Sequence, residues 1–315
     1  MAPTARPASA NVRVSLDELV ALQHVARGFS VFGAQAVTSA LAGRQASRLR
    51  GRGLSFEELR NYAPGDDIRH IDWKVTARTG RPHTRVFTEE RERPVFLLVD
   101  QRLGMFFGSR VQMKSVTAAE LAALLAWQAV AAGDRLGALV LTDGDMPEFT
   151  PHRSRRAVLR VLDAVARHNQ ALAVDAGFAP DAAQFNRALE RVARRATHDW
   201  TVVVISDFHG ADDATRESIK RIARHNDVIA MLVHDPISGD VPARRWLVAG
   251  DTRLQLRLDL ADPRVRESVV RVFKERSARL ARLKDELGVP FVAMDTGGDT
   301  AGQLRRALGA RPLQR

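Results

Sequence analysis

The chain has 315 residues, of which 45% are hydrophobic, and carries a formal net charge of +11. A chain of this length and composition can bury a sizeable core, so we expect one large domain, or a large domain with a smaller appendage. The absence of cysteine excludes disulfides, cysteine-based metal sites and a cysteine nucleophile.

The N-terminus and the longest apolar stretch both indicate a protein that is neither secreted nor membrane-spanning. Residues 1–19, MAPTARPASANVRVSLDEL, lack the apolar core of a secretory signal. Residues 121–133, LAALLAWQAVAAG, are too few to cross a bilayer. We therefore predict a cytoplasmic protein without a membrane span, and we expect residues 1–12 to be disordered.

The first predicted helix covers residues 15–28, because Ser15 and Glu18 form a capping box ahead of apolar residues at helical spacing. Residues 46–94 are polar and rich in arginine and glycine, which predicts a long loop. Together, residues 13–93 are expected to form an extension packed on the main domain. Four aromatic residues are candidates to anchor the loop: Phe56, Tyr62, Trp73 and Phe87.

From residue 94 to residue 310, apolar strands alternate with amphipathic helices. The predicted strands are 95–100, 135–144, 200–208, 228–236 and 289–295, with a hairpin at 244–260; the predicted helices are 114–133, 154–169, 181–196, 214–226, 263–287 and 298–308. Continuous runs of valine, isoleucine and leucine indicate strands that are buried on both faces. The pattern therefore predicts an α/β fold with a doubly wound, mostly parallel sheet.

Two aspartates, Asp100 and Asp207, follow predicted strands directly. Ligands of doubly wound sheets bind outside the carboxyl ends of the strands, so these aspartates are candidates for a functional site. No glycine-rich phosphate loop follows any strand, which argues against a dinucleotide-binding enzyme or a P-loop NTPase.

The chain resembles the domain-of-unknown-function family fifty-eight, over roughly residues 45–310. This resemblance implies a von Willebrand factor A-like domain, and it implies a partner, because the family is encoded beside MoxR-type AAA+ ATPases. The motif positions that carry it are Gly53, Phe56, Glu58 to Arg60, Tyr62 to Asp67, Arg69, Ile71 to Trp73, Ala77, Arg78, Phe87, Glu90, Gly104 to Gly108, Lys114, Gly133 to Gly137 and Ile205 to Phe208.

The resemblance also implies a divalent-cation site, from which this sequence departs. In von Willebrand A domains the cation is held by an Asp-x-Ser-x-Ser loop, a threonine and a later aspartate. Asp100 and Asp207 match the two aspartates, but Arg102 and Gly104 occupy the serine positions. The threonine would fall at Ala182 or Ala183.

Three outcomes are open for Arg102. It could replace the metal by pairing with Asp100 and Asp207, because a guanidinium fork suits two carboxylates. It could instead point to solvent over an empty site, or the two aspartates could still hold Mg²⁺ weakly. We favour replacement, with no cofactor and with a ligand face formed by Asp100, Arg102, Gly104, Met105 and Asp207.

A second cluster surrounds the Pro64-Gly65-Asp66-Asp67 turn. The plainest interpretation is a structured turn whose acids bind nearby backbone groups or arginines. The cluster could instead be a contact surface for the ATPase, and a three-aspartate metal site is a further alternative. The residues of this family motif surface are Arg60, Tyr62, Gly65, Asp66, Asp67, Arg69, Asp72 and Trp73.

The resemblance implies a non-enzymatic adaptor that binds a client protein and acts with a MoxR-type AAA+ ATPase in remodelling or assembling it. Two alternatives from other classes remain. One is a magnesium-dependent hydrolase or nuclease, and the other is a nucleic-acid-binding protein that uses the net positive charge. Arginines that alternate with acids along the predicted helices are typical of solvated faces, so we expect nucleic acid not to be the partner.

Overall fold

The structure is a computed structural model of the chain. It describes residues 12–27, 54–63, 67–89, 93–173, 181, 183–238, 246–250, 255–259 and 261–307. Residues 1–11, almost all of the segment predicted to be disordered, lie outside these ranges. The chain forms two compact units, one made of Met1–Gly43 and Arg93–Arg315 and the other of Arg44–Glu92.

The helices are α1 (Leu16–Ala26), α2 (Trp73–Thr79), α3 (Lys114–Ala131), α4 (Arg155–Ala171), α5 (Ala183–Arg195), α6 (Asp213–Ala223), α7 (Pro263–Leu287) and α8 (Thr300–Ala307). The strands are β1 (Leu54–Asn61), β2 (His83–Glu89), β3 (Val95–Asp100), β4 (Leu136–Leu141), β5 (Glu148–His152), β6 (Thr201–Ser206), β7 (Asp227–His234), β8 (Trp246–Gly250), β9 (Gln255–Asp259) and β10 (Phe291–Asp295).

The larger unit is built on a six-stranded sheet with the order β10-β7-β6-β3-β4-β5. All neighbouring strands are parallel except β4 and β5, which are antiparallel. The predicted α/β class and mostly parallel sheet are confirmed. Strand β5 was missed because it is short and contains Pro151, and proline is tolerated in a sheet mainly at an edge, which is where β5 lies.

Alternate side chains of the central strands pack into cores on opposite faces of the sheet. Leu97 and Val99 of β3 join the core formed with α1, α3 and α4, whereas Phe96 and Leu98 join the core formed with α5 and α6. The strands are therefore covered by helices on both faces, which explains their continuous apolar sequences. Trp127 of α3 is 3% exposed and its Nε1 donates to the Leu19 carbonyl of α1 at 3.1 Å.

Several local predictions are confirmed. Helix α1 begins after Ser15 with both hydrogen bonds of the capping box to Glu18 present. The predicted hairpin appears as the antiparallel pair β8 and β9. Helix α7 starts at Pro263, behind the N-cap Asp262, and ends before Gly288, which adopts a φ of 60°.

The smaller unit contains regular structure where a loop was predicted. Strands β1 and β2 pair in antiparallel register, with Phe56 opposite Phe87, and helix α2 lies between them in the chain. The strands were missed because β1, LSFEELRN, and β2, HTRVFTE, are largely polar and their pairing carries no strong apolar alternation. Among the described helices, none is long and apolar enough to cross a membrane.

Candidate functional site

The two predicted aspartates lie at the carboxyl ends of neighbouring strands. Asp100 is the last residue of β3, and Asp207 directly follows β6. The two strands pair in parallel, with Val99 opposite Ile205, so the sheet brings both carboxylates to the same edge. Asp100 is fully buried and Asp207 is 2% exposed.

Arg102 binds Asp100 through two parallel side-chain hydrogen bonds. Its Nε donates to Oδ1 at 3.0 Å and its Nη2 donates to Oδ2 at 2.7 Å. The backbone N–H of Arg102 also donates to Oδ1 at 3.1 Å, and the hydroxyl of Ser206 donates to Oδ2 at 2.6 Å. A carboxylate has about four lone-pair positions, so these four donors saturate Asp100.

The remaining contacts of Arg102 hold its guanidinium in this place. Nη2 donates to the carbonyl of His209 at 3.2 Å, and the guanidinium lies 5.2 Å from the ring centre of Phe185. Burial opposes the charged form of Arg102, but the charge and hydrogen bonds of Asp100 outweigh this effect and raise the pKa of Arg102. Arg102 is therefore a permanent, buried cation.

Asp207 has a cation of its own, which sequence reasoning did not assign to the site. Nζ of Lys114 donates to Oδ2 of Asp207, and both side chains are buried. Oδ1 of Asp207 accepts from the backbone N–H of His209 at 2.9 Å. The side-chain hydrogen bonds of Arg102 to a carboxylate thus go to Asp100, and that of Lys114 goes to Asp207. Asp207 still acts on Arg102 through its charge, which helps to raise the pKa of Arg102. The signal for Lys114 was its place among the family motif residues.

A divalent cation does not fit this arrangement. Mg²⁺ requires oxygen ligands with free lone pairs, whereas donors surround Asp100 and the ammonium of Lys114 contacts Asp207. Two fixed positive charges would also repel a third cation. Ala183, one candidate for the missing threonine, is the first residue of α5; the other, Ala182, lies outside the described residues.

A strained turn connects the two ion pairs. Phe208 has a φ of 54°, in the left-handed region that aromatic residues rarely adopt. Its backbone N–H donates to the hydroxyl of Ser206 at 2.9 Å, and its ring packs edge-on against Phe185 at 5.6 Å. Packing and hydrogen bonds therefore fix the turn between Ser206 and His209.

Comparison with known proteins identifies the family. The model of the family described as "Protein of unknown function DUF58" matches residues 58–279. This chain belongs to the DUF58 family. Uncharacterized proteins of Mycobacterium bovis and Mycobacterium tuberculosis are each 31% identical to this DUF58 protein over 278 residues, covering 88% of this chain and 86% of theirs.

Two solved structures resemble this DUF58 protein weakly. The conserved hypothetical protein BatB of Bacteroides thetaiotaomicron is 14% identical, with a TM-score of 0.41 over 68% of this chain and 95% of that one. An aerotolerance-related membrane protein of Bacteroides fragilis is 15% identical, with a TM-score of 0.41 over 69% of this chain and 98% of that one. TM-scores this low do not establish a shared fold type.

The DUF58 ligand face predicted from the sequence is mostly buried. Met105 is fully buried in the core, so it cannot contact a partner and its assignment to the face is wrong. A short helical turn at Leu103–Met105 directs its side chain inward. Gly104 in the same turn is exposed, as is His209 beyond Asp207. The ion pairs therefore lie beneath the surface that the loops present.

The family motif residues of the smaller unit act partly as helix caps. Asp67 accepts from the backbone N–H of Arg69 at 2.9 Å, and Asp72 caps α2 by accepting from Lys74 and Val75 at 3.0 and 3.1 Å. These contacts agree with the interpretation of a structured turn. Gly65 and Asp66 lie outside the described residues.

Other motif residues of this unit are open to solvent. Arg60 and Arg69 are exposed, whereas Tyr62 is half-buried. Trp73 is 69% exposed, and the expectation that it anchors the segment stays a prediction. It is the first residue of α2.

Proposed function

We propose that this chain is a metal-independent protein-binding domain of von Willebrand A type that acts with a MoxR-type AAA+ ATPase on a client protein. The observation that carries the proposal is the pair of buried ion pairs, Arg102 with Asp100 and Lys114 with Asp207, at the sheet edge where related folds bind ligands. The partner class follows from the family resemblance.

The ion pairs suit a positioning role better than a stabilising one. Buried ion pairs contribute little net stability, because desolvation offsets their attraction, and their best supported use is to specify one arrangement. Here they fix the segments 101–108 and 207–212, which we call the edge loops. Loops that are already ordered lose less entropy on binding a partner.

The exposed tips of the edge loops are the part that a partner would contact. Gly104 and His209 are both exposed above the ion pairs. A Cβ added at Gly104 would meet no heavy atom within 4 Å, so a larger residue is expected to extend from this exposed position and alter the surface. The variant Gly104→Arg therefore tests binding separately from folding.

The experiment is affinity capture from the native lysate, read by mass spectrometry, with and without a chelator. Wild type is expected to capture a MoxR-type ATPase equally in both conditions. Gly104→Arg should reduce capture by about tenfold, as blocking a central contact does. Arg194→Ala, an exposed change on α5, serves as the control.

Three results would contradict parts of the proposal. Loss of the ATPase in chelator would show that a cation takes part. Equal capture by Gly104→Arg would place the contact away from the edge loops, and absence of any MoxR-type ATPase would remove the assigned partner. Magnesium-dependent phosphodiester cleavage, or salt-sensitive retention on heparin, would favour the hydrolase or the nucleic-acid-binding alternative.

A further inference from the structure

A cavity of about 330 Å³ opens beside the carboxyl ends of β3 and β4. Its polar wall contains Asp143, Asp145 and His168, and its apolar wall contains Leu103, Ala171 and Leu172. Cavities of about 300 Å³ and larger accommodate small ligands. We call this space the Asp143 cavity; it adjoins the edge loop that carries Gly104.

The two carboxylates of the cavity retain unused acceptor positions. Oδ2 of Asp143 accepts from the backbone N–H of Leu103, and Oδ1 of Asp145 accepts from the hydroxyl of Thr142 at 2.9 Å. Within the described ranges, neither Oδ1 of Asp143 nor Oδ2 of Asp145 accepts a hydrogen bond. Each carboxylate therefore has an oxygen available to a ligand that donates hydrogen bonds.

The positive charges nearby do not neutralise these acids. Arg102 influences Asp143, but its guanidinium forms its side-chain hydrogen bonds with Asp100 and the His209 carbonyl. Of the described residues that line the cavity, His168 alone can become a cation, and its Nε2 is 3.9 Å from Oδ1 of Asp145. The cavity is thus a negative site on a chain whose formal charge is +11.

The surroundings of Asp143 disfavour the charged form of its carboxyl group. Burial raises the pKa of Asp143, although the hydrogen bond from Leu103 and the charge of Arg102 act in the opposite direction. A cation placed against this carboxylate would replace the hydration that burial removes. The half-buried acid is therefore better suited to a charged ligand than an acid on an open surface is.

We infer that the Asp143 cavity binds an ammonium or guanidinium group carried on an apolar stem. The stem would lie against Leu103, Ala171 and Leu172, and the cationic head would donate to Asp143 and Asp145. The inference rests on the proposed function for the source of this group, which is then a lysine or arginine side chain of the bound protein. A free amine carries the same chemistry and is the second source.

Two probes distinguish these sources, and a third tests the role of charge. The probes are acetyl-lysine amide, cadaverine and the neutral acetyl-norleucine amide, each titrated into the full chain labelled with ¹⁵N. Binding is followed through the amide shifts of Leu103, Asp143 and Gly144. Acetyl-lysine amide is expected to saturate these shifts at roughly millimolar concentration, as suits a single side chain.

The neutral probe should bind about tenfold more weakly, because it cannot donate to either carboxylate. Cadaverine binding more tightly than acetyl-lysine amide would assign the site to free amines. Equal binding of the neutral probe, or shifts confined to other parts of the chain, would overturn the inference.

Two variants locate the binding site. Asp143→Asn keeps an acceptor for the Leu103 N–H but removes the negative charge. It should weaken the binding of acetyl-lysine amide by about tenfold. Ala171 is the exposed last residue of α4 and lines the cavity. The variant Ala171→Trp should block entry to the cavity and abolish binding, although both acids remain. The control is Asp163→Asn, on the same helix, where the carboxylate pairs with Arg167.

The small-probe titration needs no ATPase or client, so its outcome is separable from that of the capture experiment. Probe binding without ATPase capture would support the cation site and remove the adaptor role. ATPase capture that is unaffected by Asp143→Asn, together with no probe binding, would remove the cation site and leave the adaptor role intact.

Discussion

Lys114 and Asp207 form a buried ion pair although 93 positions separate them in the chain. Lys114 begins α3 and Asp207 follows β6, so the contact ties a helix to the end of a strand. With the pair Arg102 and Asp100, it places two cations and two anions at one edge of the sheet. The DUF58 chain thus balances the charge of Asp100 and Asp207 with its own side chains.

Replacing Lys114 with methionine should destabilise the protein by about 3–5 kcal/mol, because the variant leaves Asp207 buried without its cation. Urea unfolding measures the change. The double variant with Asp207→Asn should recover part of the loss, since both charges are then absent. Lys220→Met, an exposed change on α6, should cost no more than about 0.5 kcal/mol. If Lys114→Met lowers the free energy of unfolding as little as Lys220→Met does, the ion pair contributes little to stability.

Introducing serines at positions 102 and 104, where the von Willebrand A resemblance leads us to expect them, should create a magnesium site in steps. Arg102→Ser with Gly104→Ser frees Asp100, and calorimetry should detect weak Mg²⁺ binding that wild type lacks. Adding Lys114→Met should strengthen this binding by about tenfold or more, because it removes the cation from Asp207. Wild-type binding as tight as that of the triple variant would show that the tethered cations do not exclude the metal.

The lowered pKa of Asp235 leads us to expect that stability changes at acidic pH. Burial alone would raise the pKa of Asp235, but hydrogen bonds from Ser109, Thr296 and Ile237 outweigh burial and lower the pKa below the ordinary 3.8. The unfolded state therefore binds the proton more readily. The stabilisation from the charged Asp235 is present above pH 3.8 and is lost as the pH falls through the pKa that Asp235 has in the folded state.

The variant Asp235→Asn tests this contribution. It should lose about 1.5–3 kcal/mol near neutral pH, because hydrogen bonds to a charged acceptor are replaced by weaker ones. Its stability should also fall less than that of wild type on acidification. Unfolding curves at several pH values measure both effects, with Asp163→Asn as the exposed control. Parallel curves for Asp235→Asn and wild type would contradict the assignment.

Two variants of the smaller unit distinguish a residue that stabilises α2 from a residue that contacts a partner. Asp72→Ala removes the N-cap of α2 and should cost about 1 kcal/mol, seen as faster amide exchange in residues 74–79. Trp73→Ala should leave exchange unchanged because the ring is 69% exposed. If Trp73→Ala nevertheless weakens ATPase capture, the ring belongs to the partner surface; if it destabilises α2, the ring is structural.

Local sequence predicted the pairing of Arg102 with Asp100. The two residues are two positions apart, at a strand end where the backbone N–H and the guanidinium of Arg102 both reach the same carboxylate. Strand β3 and helices α1 and α3 were likewise predictable, because their apolar periodicity and capping residues lie within each segment.

The tertiary structure alone decided which residues meet across the chain. Residue patterns within short segments were enough to predict the apolar strands, the aspartates that follow two of them and the cation two residues after Asp100. The contact of Lys114 with Asp207 and the burial of Met105 depend on the order of strands and the packing of helices. These contacts join residues that are distant in the chain, so the periodicity within one segment cannot predict them. They form because the sheet brings the two segments together.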